Sequence, residues 1–259
     1  MHCATCGHQS SITAGTIFHR TRKPLRLWFQ VMWWVTGQKN GASALGLQRI
    51  LGLRSYQTAW TWLHKLRRAM VRPGRDRLNG EVEVDESFVG GVEAGAGRRH
   101  VGKKALVAIA AEIRGSATGR IRIARVRDSS AESLVGFIRQ TIETGSTIVT
   151  DGLPSYLGLV KAGYRHEQHV QGDDRLASVL FPRVHRVSSL LKRWLLGTHQ
   201  GRVERAHLPY YLDEFVFRFN RRTSGSRGLL FFRLAQQAVA IAPVPYRQLI
   251  GGSERPKPQ

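Results

Sequence analysis

A nearly continuous apolar run, ALVAIAAEI at residues 105–113, constrains the fold more than any other feature of the sequence. Such a run is typical of a strand that is buried on both faces of a sheet. The flanking segments, EVEVDESFVGG at 81–91 and RIRIARV at 120–126, alternate apolar and polar residues as half-buried strands do. The three segments together predict an antiparallel meander with the apolar strand in the middle.

A helix and a fourth strand follow the meander. The stretch SSAESLVGFIRQTIE at 129–143 has apolar residues at helical spacing. The short run TIVT at 147–150 predicts a strand that ends at Asp151, and further helices follow it. This order of elements predicts an α/β fold with a mixed sheet, in which the fourth strand returns through a helical crossover.

Two aspartates lie at positions where this sheet can bring them together. Asp85 is on the first strand and Asp151 follows the fourth, 66 positions later. If these strands are neighbours, the two carboxylates meet, as in RNase H-like polynucleotidyl transferases. Such pairs hold divalent ions that act on a phosphodiester. Each aspartate also has a simpler interpretation, since Asp151 precedes a glycine and suits a turn, while Asp85 stands among other acids and suits a salt bridge.

The net charge of the chain indicates a polyanionic partner. The sequence has 40 Lys and Arg residues against 18 Asp and Glu, a formal charge of +22. Nucleic acid is the default partner for such a chain, and an anionic membrane surface is the rival. The first twenty residues lack the apolar core of a signal peptide, and LWFQVMWWV at 27–35 is too short to span a bilayer. The sequence therefore predicts a soluble, cytoplasmic protein with no membrane partner.

Residues 24–71 predict helices, including a short helix and a basic aromatic helix joined by a tight turn near Gly52. This pattern is similar to a helix-turn-helix, and a plain helical bundle with a solvated basic face is the alternative. In the last helix, the apolar stripe is expected to contain Tyr56, Ala59, Leu63 and Leu66. The residues expected to face DNA phosphates are Arg54, His64, Lys65, Arg67 and Arg68.

The only two cysteines, Cys3 and Cys6, form half of a zinc site, because structural zinc needs four ligands. His2, His8 or His19 can complete the set. The simpler interpretation is a zinc ribbon of which this chain holds one half, so that zinc binding is doubtful.

Four ordered blocks carry a resemblance to a known family. They are VDESFVGG, TDGLPSY, LLKRWLLGTHQG and YLDEFVFRFNRR. The chain resembles an insertion-sequence transposase of the DDE superfamily, in the group with an N-terminal zinc ribbon, a helix-turn-helix and an RNase H-like catalytic domain. The resemblance extends from CGHQSSITAGTIFHRTRKPLRLWF to RGLLFFRLAQQAV. It implies four regions, namely a partial zinc ribbon (1–22), a helix-turn-helix (23–72), a catalytic domain (80–223) and a C-terminal helix with a tail (224–259).

The resemblance also implies a third metal ligand on a helix after the fourth strand. In the family this ligand is usually Glu or Asn, seven residues before a lysine. Counting back from Lys192 gives His185, which is 34 positions after Asp151. An imidazole nitrogen can ligate a divalent metal. The implied catalytic and metal-binding set is therefore Asp85, Asp151 and His185 with Mg²⁺ or Mn²⁺, as two ions, and Lys192 and Arg193 are implied as DNA contacts.

Other acids compete for the third position. Glu214 is the runner-up, although pairing with a nearby arginine such as Arg218 is the preferred interpretation. Glu204 is expected on a loop, as are Asp173 and Asp174. His185 itself also suits a histidine that simply starts a helix.

The function that the resemblance implies is cleavage at the ends of an insertion sequence and strand transfer into target DNA. The implied partners are the terminal inverted repeats, the target DNA and a second copy of the chain in a homo-oligomer. Two alternatives remain open. One is a transposase-derived protein that binds DNA without cutting it, and the other is an RNase H-like nuclease that cuts without joining.

Overall fold

The protein is described by a computed structural model that covers residues 4–7, 9, 11–90, 104–169, 181–201 and 203–251. The chain divides into two compact units. The first consists of Met1–Arg75 together with Thr223–Gln259, and the second of Asp76–Arg222. The C-terminal segment, expected as a separate region, thus belongs to the unit that holds the N-terminal helices.

The described ranges contain helices in both units and a sheet in the second. The helices are α1 (Leu25–Gly37), α2 (Ala44–Ile50), α3 (Tyr56–Ala69), α4 (Ala131–Thr141), α5 (Pro182–His199), α6 (Leu208–Phe219), α7 (Arg227–Ala240) and α8 (Tyr246–Ile250). The strands are β1 (Glu81–Val89), β2 (Ala105–Arg114), β3 (Ala117–Arg125), β4 (Thr147–Thr150) and β5 (Arg165–Gln168). None of the helices in these ranges is long and apolar enough to cross a membrane.

The first unit is built around aromatic packing. Trp28 of α1 is buried and stacks on Trp62 of α3, with 4.2 Å between the ring centroids. Ala59, Leu63 and Leu66 form the buried stripe of α3, as the sequence predicts. Tyr56 was expected in that stripe and is half exposed instead, because it is the first residue of the helix and precedes the packed turns.

A short helix and a longer basic helix do follow one another in this unit. The hydroxyl of Ser43 caps α2 by accepting a hydrogen bond from the Gly46 amide. After α2, Gly52 has a φ of +59°, which lets the chain turn before α3 begins at Tyr56. The helices and the turn predicted from the sequence are therefore present, while their role as a DNA-binding helix-turn-helix stays a prediction.

The second unit contains a five-stranded mixed sheet with the order β3-β2-β1-β4-β5. Strands β1, β2 and β3 form the predicted antiparallel meander. Helix α4 leads to β4, which pairs in parallel with β1 so that Glu83 lies opposite Val149. This arrangement confirms the predicted α/β fold of the RNase H-like class, with the first and fourth strands as neighbours.

Helices cover both faces of the sheet. On one face, Val107, Ile109 and Ala111 of β2 pack in a buried cluster with residues of α5 and α6. On the other face, Ala108 and Ala110 pack in a cluster with residues of α4. Strand β2 is thus buried on both faces, which explains its continuous apolar run.

Strand β5 was not predicted. Its sequence, RHEQ, lies at the edge of the sheet and is mostly exposed. This strand is held in the sheet by backbone hydrogen bonds to β4. Because its side chains are mostly exposed, its sequence has no alternation of apolar residues from which a strand could be predicted.

Candidate active site and nucleic-acid interface

Asp85 lies in the middle of β1, opposite Ile109 of β2. Because side chains alternate along a strand, Glu83, Asp85 and Ser87 share the face that α5 covers. The Asp85 side chain is 29% exposed, and its Oδ1 accepts a hydrogen bond of 2.7 Å from the Glu86 amide. A carboxylate on a central strand therefore remains open to solvent at this point.

Asp151 is the first residue after β4. The parallel register pairs Glu83 with Val149, so two further steps along each strand lead to Asp85 and Asp151. The Oδ1 atom of Asp151 accepts a hydrogen bond of 3.1 Å from the Leu153 amide. Asp151 thus serves the turn after the strand, as the simpler interpretation expects, and also lies beside Asp85 as the site interpretation expects.

His185 is in the first turn of α5 and points to the same place. Its Nε2 atom lies 3.8 Å from Oδ2 of Asp85, and its side chain is 39% exposed. Lys192 is two turns further along α5, is exposed, and acts electrostatically on Asp85. The structure therefore brings Asp85, Asp151, His185 and Lys192 together. The strand order predicts this for the two aspartates, and the family resemblance implies it for His185 and Lys192. Arg193 is exposed on the same helix.

The surroundings of Asp85 disfavour the ionised form of its carboxyl group. Burial raises the pKa of Asp85, and the charge of Asp151 raises it further. The Glu86 amide, His185 and Lys192 act in the opposite direction, but the net pKa is raised. A bound cation would stabilise the ionised form of this carboxylate, so a cation site is consistent with the raised pKa of Asp85.

Glu86 and Tyr156 form a second pair beside the site, which the sequence motifs did not predict. The Tyr156 hydroxyl donates a hydrogen bond to Oε1 of Glu86. Burial, together with the charges of Asp85 and Asp151, raises the pKa of Glu86 to about 7 although the tyrosine opposes this effect. Burial also raises the pKa of Tyr156. The acid directly after Asp85 and the tyrosine of the TDGLPSY block were the available signals.

The donor set suits a hard divalent ion. Carboxylate oxygens are the ligands that Mg²⁺ prefers, and an imidazole is acceptable to Mn²⁺. Within the described ranges, no three His, Cys, Asp or Glu side chains form a ready group that could hold an ion. Mg²⁺ sites in phosphoryl-transfer enzymes commonly use one or two carboxylates plus substrate phosphates. The residues therefore fit an open site, in which water and the oxygens of a bound ligand would complete the coordination.

Comparison with known proteins assigns the family. Residues 77–220, more than half of the 259-residue chain, match the model of the ISXO2-like transposase domain. The chain belongs to this transposase family. Among curated proteins, none matches it.

The chain has low similarity to solved structures of a viral integrase and of a Mos1 complex. The catalytic core domain of BIV integrase is 14% identical, with a TM-score of 0.38, and the match covers 67% of this chain and 95% of that chain. The Mos1 Strand Transfer Complex is 13% identical, with a TM-score of 0.33 and coverage of 92% and 81%. At these scores the likenesses add nothing about function.

Glu214 of the transposase lies away from Asp85. It is fully buried on α6, and its Oε1 accepts hydrogen bonds from Nε and Nη2 of Arg218 at 2.9 and 2.8 Å. Helix α6 packs on β3, where Asn220 binds the backbone of Ile121. Strand β2 separates β3 from β1. The arginine pair, the preferred interpretation, is thus what the structure contains.

The other competing acids are also placed elsewhere or lie outside the described residues. Glu204 is 80% exposed, and its Oε2 is 3.2 Å from Nδ1 of His207. Asp173 and Asp174 fall in the range 170–180, outside the described residues. Cys6 is exposed, whereas Cys3, His2 and His8 lie outside the described part of the chain, so the zinc prediction stays a prediction.

The predicted phosphate contacts of α3 divide into two groups. Arg54 is exposed in the turn before α3, and Lys65 and Arg68 are partly exposed. Arg67 is only 2% exposed, and its Nη2 donates a 3.5 Å hydrogen bond to the carbonyl of Ala42. His64 is fully buried against the ring of Trp60. Arg67 and His64 were therefore predicted wrongly, because the helix turns them into the core of the unit.

We expect substitutions of the exposed Arg54 and the buried Arg67 to affect different properties, DNA binding and stability respectively. Arg54→Ala is expected to weaken binding to DNA of any sequence and to reduce the slope of log K against log salt by about 1, as loss of one phosphate contact does. Arg67→Ala is expected to lower the free energy of unfolding by about 1–3 kcal/mol, because a buried hydrogen-bonded group is lost. Fluorescence anisotropy across a salt series and urea unfolding measure the two effects. An unchanged salt slope for Arg54→Ala would contradict its proposed position on DNA.

Proposed function

We propose that this chain is a metal-dependent DNA transposase that cleaves at insertion-sequence ends and transfers the freed strand into target DNA. The observation that carries the proposal is the meeting of Asp85, Asp151 and His185 at neighbouring strands β1 and β4 and the start of α5. The family assignment supports a transposase.

The proposed ligands are the carboxylates of Asp85 and Asp151 and the imidazole of His185. When bound, divalent ions, Mg²⁺ or Mn²⁺ and two in number, supply activation of the attacking oxygen and charge stabilisation of the leaving oxygen. Lys192 is exposed beside Asp85. Its ammonium group would bind the phosphate next to the scissile bond and hold the DNA strand over the carboxylates.

The chemistry consists of two displacements at phosphorus. In the first, a water oxygen bonds to phosphorus as the bond from phosphorus to the 3′ oxygen breaks, and that oxygen leaves as a 3′-hydroxyl. In the second, this hydroxyl bonds to a target phosphorus and displaces a target 3′ oxygen. Each bond formed replaces one bond broken, and the attacking oxygens come from water and from the DNA 3′ end, so no covalent link between protein and DNA is needed.

The basic first unit is proposed to hold the terminal inverted repeats. The formal charge of +22 and the exposed Arg54 support salt-dependent affinity, with base contacts adding specificity. Two transposon ends must be joined in one reaction, so we propose that two copies of the chain act together on DNA.

The alternatives are a transposase-derived protein that binds DNA without catalysis and an RNase H-like nuclease that cuts DNA without joining it. Incubation of the full chain with supercoiled plasmid, end-bearing oligonucleotides and Mg²⁺ or Mn²⁺ distinguishes the candidates. We expect joined products that disappear with EDTA. Nicks without joined products would indicate the nuclease, and binding without nicks would indicate the non-catalytic protein.

His185 provides a prediction about the third ligand in this same assay. His185→Ala is expected to lower the rate of strand transfer by at least roughly 10- to 100-fold, because loss of a ligand costs no less than loss of a residue that supports a ligand. His185→Glu is expected to retain most of the activity, because a carboxylate oxygen can replace the imidazole. His207→Ala is the matched control, since His207 is in the same unit but contacts Glu204. Full activity of His185→Ala would show that the third ligand lies elsewhere.

A further inference from the structure

Strand β1 carries Glu83 before Asp85 and Glu86 after it. The partners of Glu83 lie on α5. Glu83 is 1% exposed. Its Oε2 accepts hydrogen bonds from the backbone amides of Arg183 and Val184, at 2.9 and 3.0 Å, and its Oε1 is 2.7 Å from Nη1 of Arg183. Both oxygens of this carboxylate are thus committed to the first turn of α5.

This contact replaces a missing helix cap. Phe181 is the N-cap residue of α5 and its side chain makes no capping hydrogen bond. The first amides of a helix need acceptors, and a carboxylate at this end is favoured by the helix dipole. Glu83 supplies the acceptor from a strand 100 positions earlier in the chain. It therefore fixes where α5 starts relative to β1.

The position of His185 depends on that start. Its amide donates to the carbonyl of Phe181 at 3.2 Å, so His185 belongs to the turn that Glu83 holds. One turn further, the Ser188 hydroxyl donates to the Ser87 hydroxyl at 2.8 Å. Helix α5 is thus joined to β1 by hydrogen bonds before and after His185, and these bonds place its imidazole beside Asp85.

Glu86 makes the equivalent contact to the segment that carries Asp151. Asp151 accepts from the Leu153 amide, and the Tyr156 amide donates to the Leu153 carbonyl at 3.1 Å. The chain from Asp151 to Tyr156 is therefore a connected turn. The bond from the Tyr156 hydroxyl to Glu86 attaches the end of this turn to β1, on the sheet face opposite to α5.

We propose that Glu83 and Glu86 are positioning residues that each attach one ligand-bearing segment to β1, and that neither binds metal. Glu83 holds the turn of His185, and Glu86, through Tyr156, holds the turn of Asp151. The inference rests on the proposed function, since it takes Asp85, Asp151 and His185 as the ligands. Of the adjacent acids Asp85 and Glu86, only Asp85 is then a metal ligand.

The test is Mn²⁺ binding to the full chain without DNA, measured by isothermal titration calorimetry. Glu83→Gln keeps the size of the side chain but replaces one acceptor oxygen with an NH₂ group that repels its partners. Tyr156→Phe removes the hydroxyl and no carboxylate. Both are expected to weaken Mn²⁺ binding by roughly 10- to 100-fold, as loss of groups behind metal ligands does. Glu86→Gln still accepts from Tyr156, so it is expected to weaken Mn²⁺ binding less than Tyr156→Phe does.

Matched controls separate positioning from general destabilisation. Glu112 of β2 is also 1% exposed and pairs with Arg120 at 2.6 Å, so Glu112→Gln disturbs a similar buried pair that holds no ligand segment. Tyr164 is buried and donates to the Ile142 carbonyl at 3.2 Å, so Tyr164→Phe matches Tyr156→Phe. Both controls are expected to leave Mn²⁺ affinity unchanged, while thermal melts monitored by circular dichroism report the folding of every variant.

Activity gives a second readout that a purely structural role would not move. At high Mn²⁺ concentration, the strand-transfer rate of Glu83→Gln is expected to recover, whereas that of Asp85→Asn is not. Wild-type affinity in Glu83→Gln and Tyr156→Phe would overturn the inference while leaving the proposed function intact. A loss in Glu86→Gln as large as in Asp85→Asn would make Glu86 a ligand and overturn its role here. If the wild type binds no Mn²⁺ either alone or with end-bearing oligonucleotides present, the proposed metal site is wrong and the inference falls with it.

Discussion

Asp85→Asn is expected to lower both DNA cleavage and strand transfer by at least about 1,000-fold while leaving affinity for end DNA unchanged. A bound divalent ion contributes several kcal/mol to such a reaction, and each 1.36 kcal/mol corresponds to a tenfold change in rate. Asparagine has the same shape but one neutral oxygen, so it loses most of the attraction for a cation. The Asp85 side chain is 29% exposed, so replacing it with asparagine leaves the packing of the sheet in place.

The measurement is a time course with supercoiled plasmid and end-bearing oligonucleotides, run together with anisotropy on the same DNA. Glu81→Gln is the matched control, because Glu81 is an exposed carboxylate on the same strand. We expect full activity for this control. Substantial cleavage by Asp85→Asn would exclude Asp85 as a ligand and would remove the main support for the proposed function.

Asp151→Asn extends this experiment to the other carboxylate. Asparagine can still accept the hydrogen bond that Oδ1 of Asp151 receives from the Leu153 amide. The turn after β4 is therefore expected to persist, and the loss of activity reports the missing charge. If Asp151 serves only the turn, Asp151→Asn will cleave DNA like the wild type.

The second large effect is expected at Glu214, and it concerns stability. Glu214→Ala is expected to lower the free energy of unfolding by about 3–5 kcal/mol, since it leaves the guanidinium of Arg218 largely buried without this carboxylate. It is also expected to leave Mn²⁺ affinity unchanged under conditions where the variant is folded. The combination of a large loss of stability with an intact metal site follows from the position of α6 on β3.

Urea unfolding and Mn²⁺ titration at low temperature measure the two properties of Glu214→Ala. Glu132→Ala is the control, because Glu132 is 83% exposed and pairs with Arg127 on the surface, where ion pairs contribute little. A stable Glu214→Ala variant that no longer binds Mn²⁺ would make Glu214 the third ligand in place of His185.

Local patterns explain which parts of the fold were predictable. The alternation of apolar and polar residues along β1 and β3 and the apolar run of β2 made three strands and their order predictable. Burial itself does not alternate along β1 and β3, because Glu83 and Arg122 are buried as well. The helix before β4 required a crossover, which made β1 and β4 parallel neighbours. Asp85 and Asp151 could be paired because that topology leaves little choice about where a residue at the end of β4 lies.

Pairings between distant segments were not predictable in the same way. Glu83 and Arg183 are 100 positions apart, and Glu86 and Tyr156 are 70 apart, yet their partners are decided by how α5 and the turn after β4 pack on β1. Arg67 has the composition of a phosphate contact but faces the core, because the packing of α3 selects its buried side. The sequence by itself determined strands β1 to β4 and the helical crossover, since their apolar residues recur with the spacing of a strand or a helix. Only the tertiary structure decided which charged side chains meet. The partner of a charged group is set by the packing of distant segments, and no periodic pattern in the sequence indicates it.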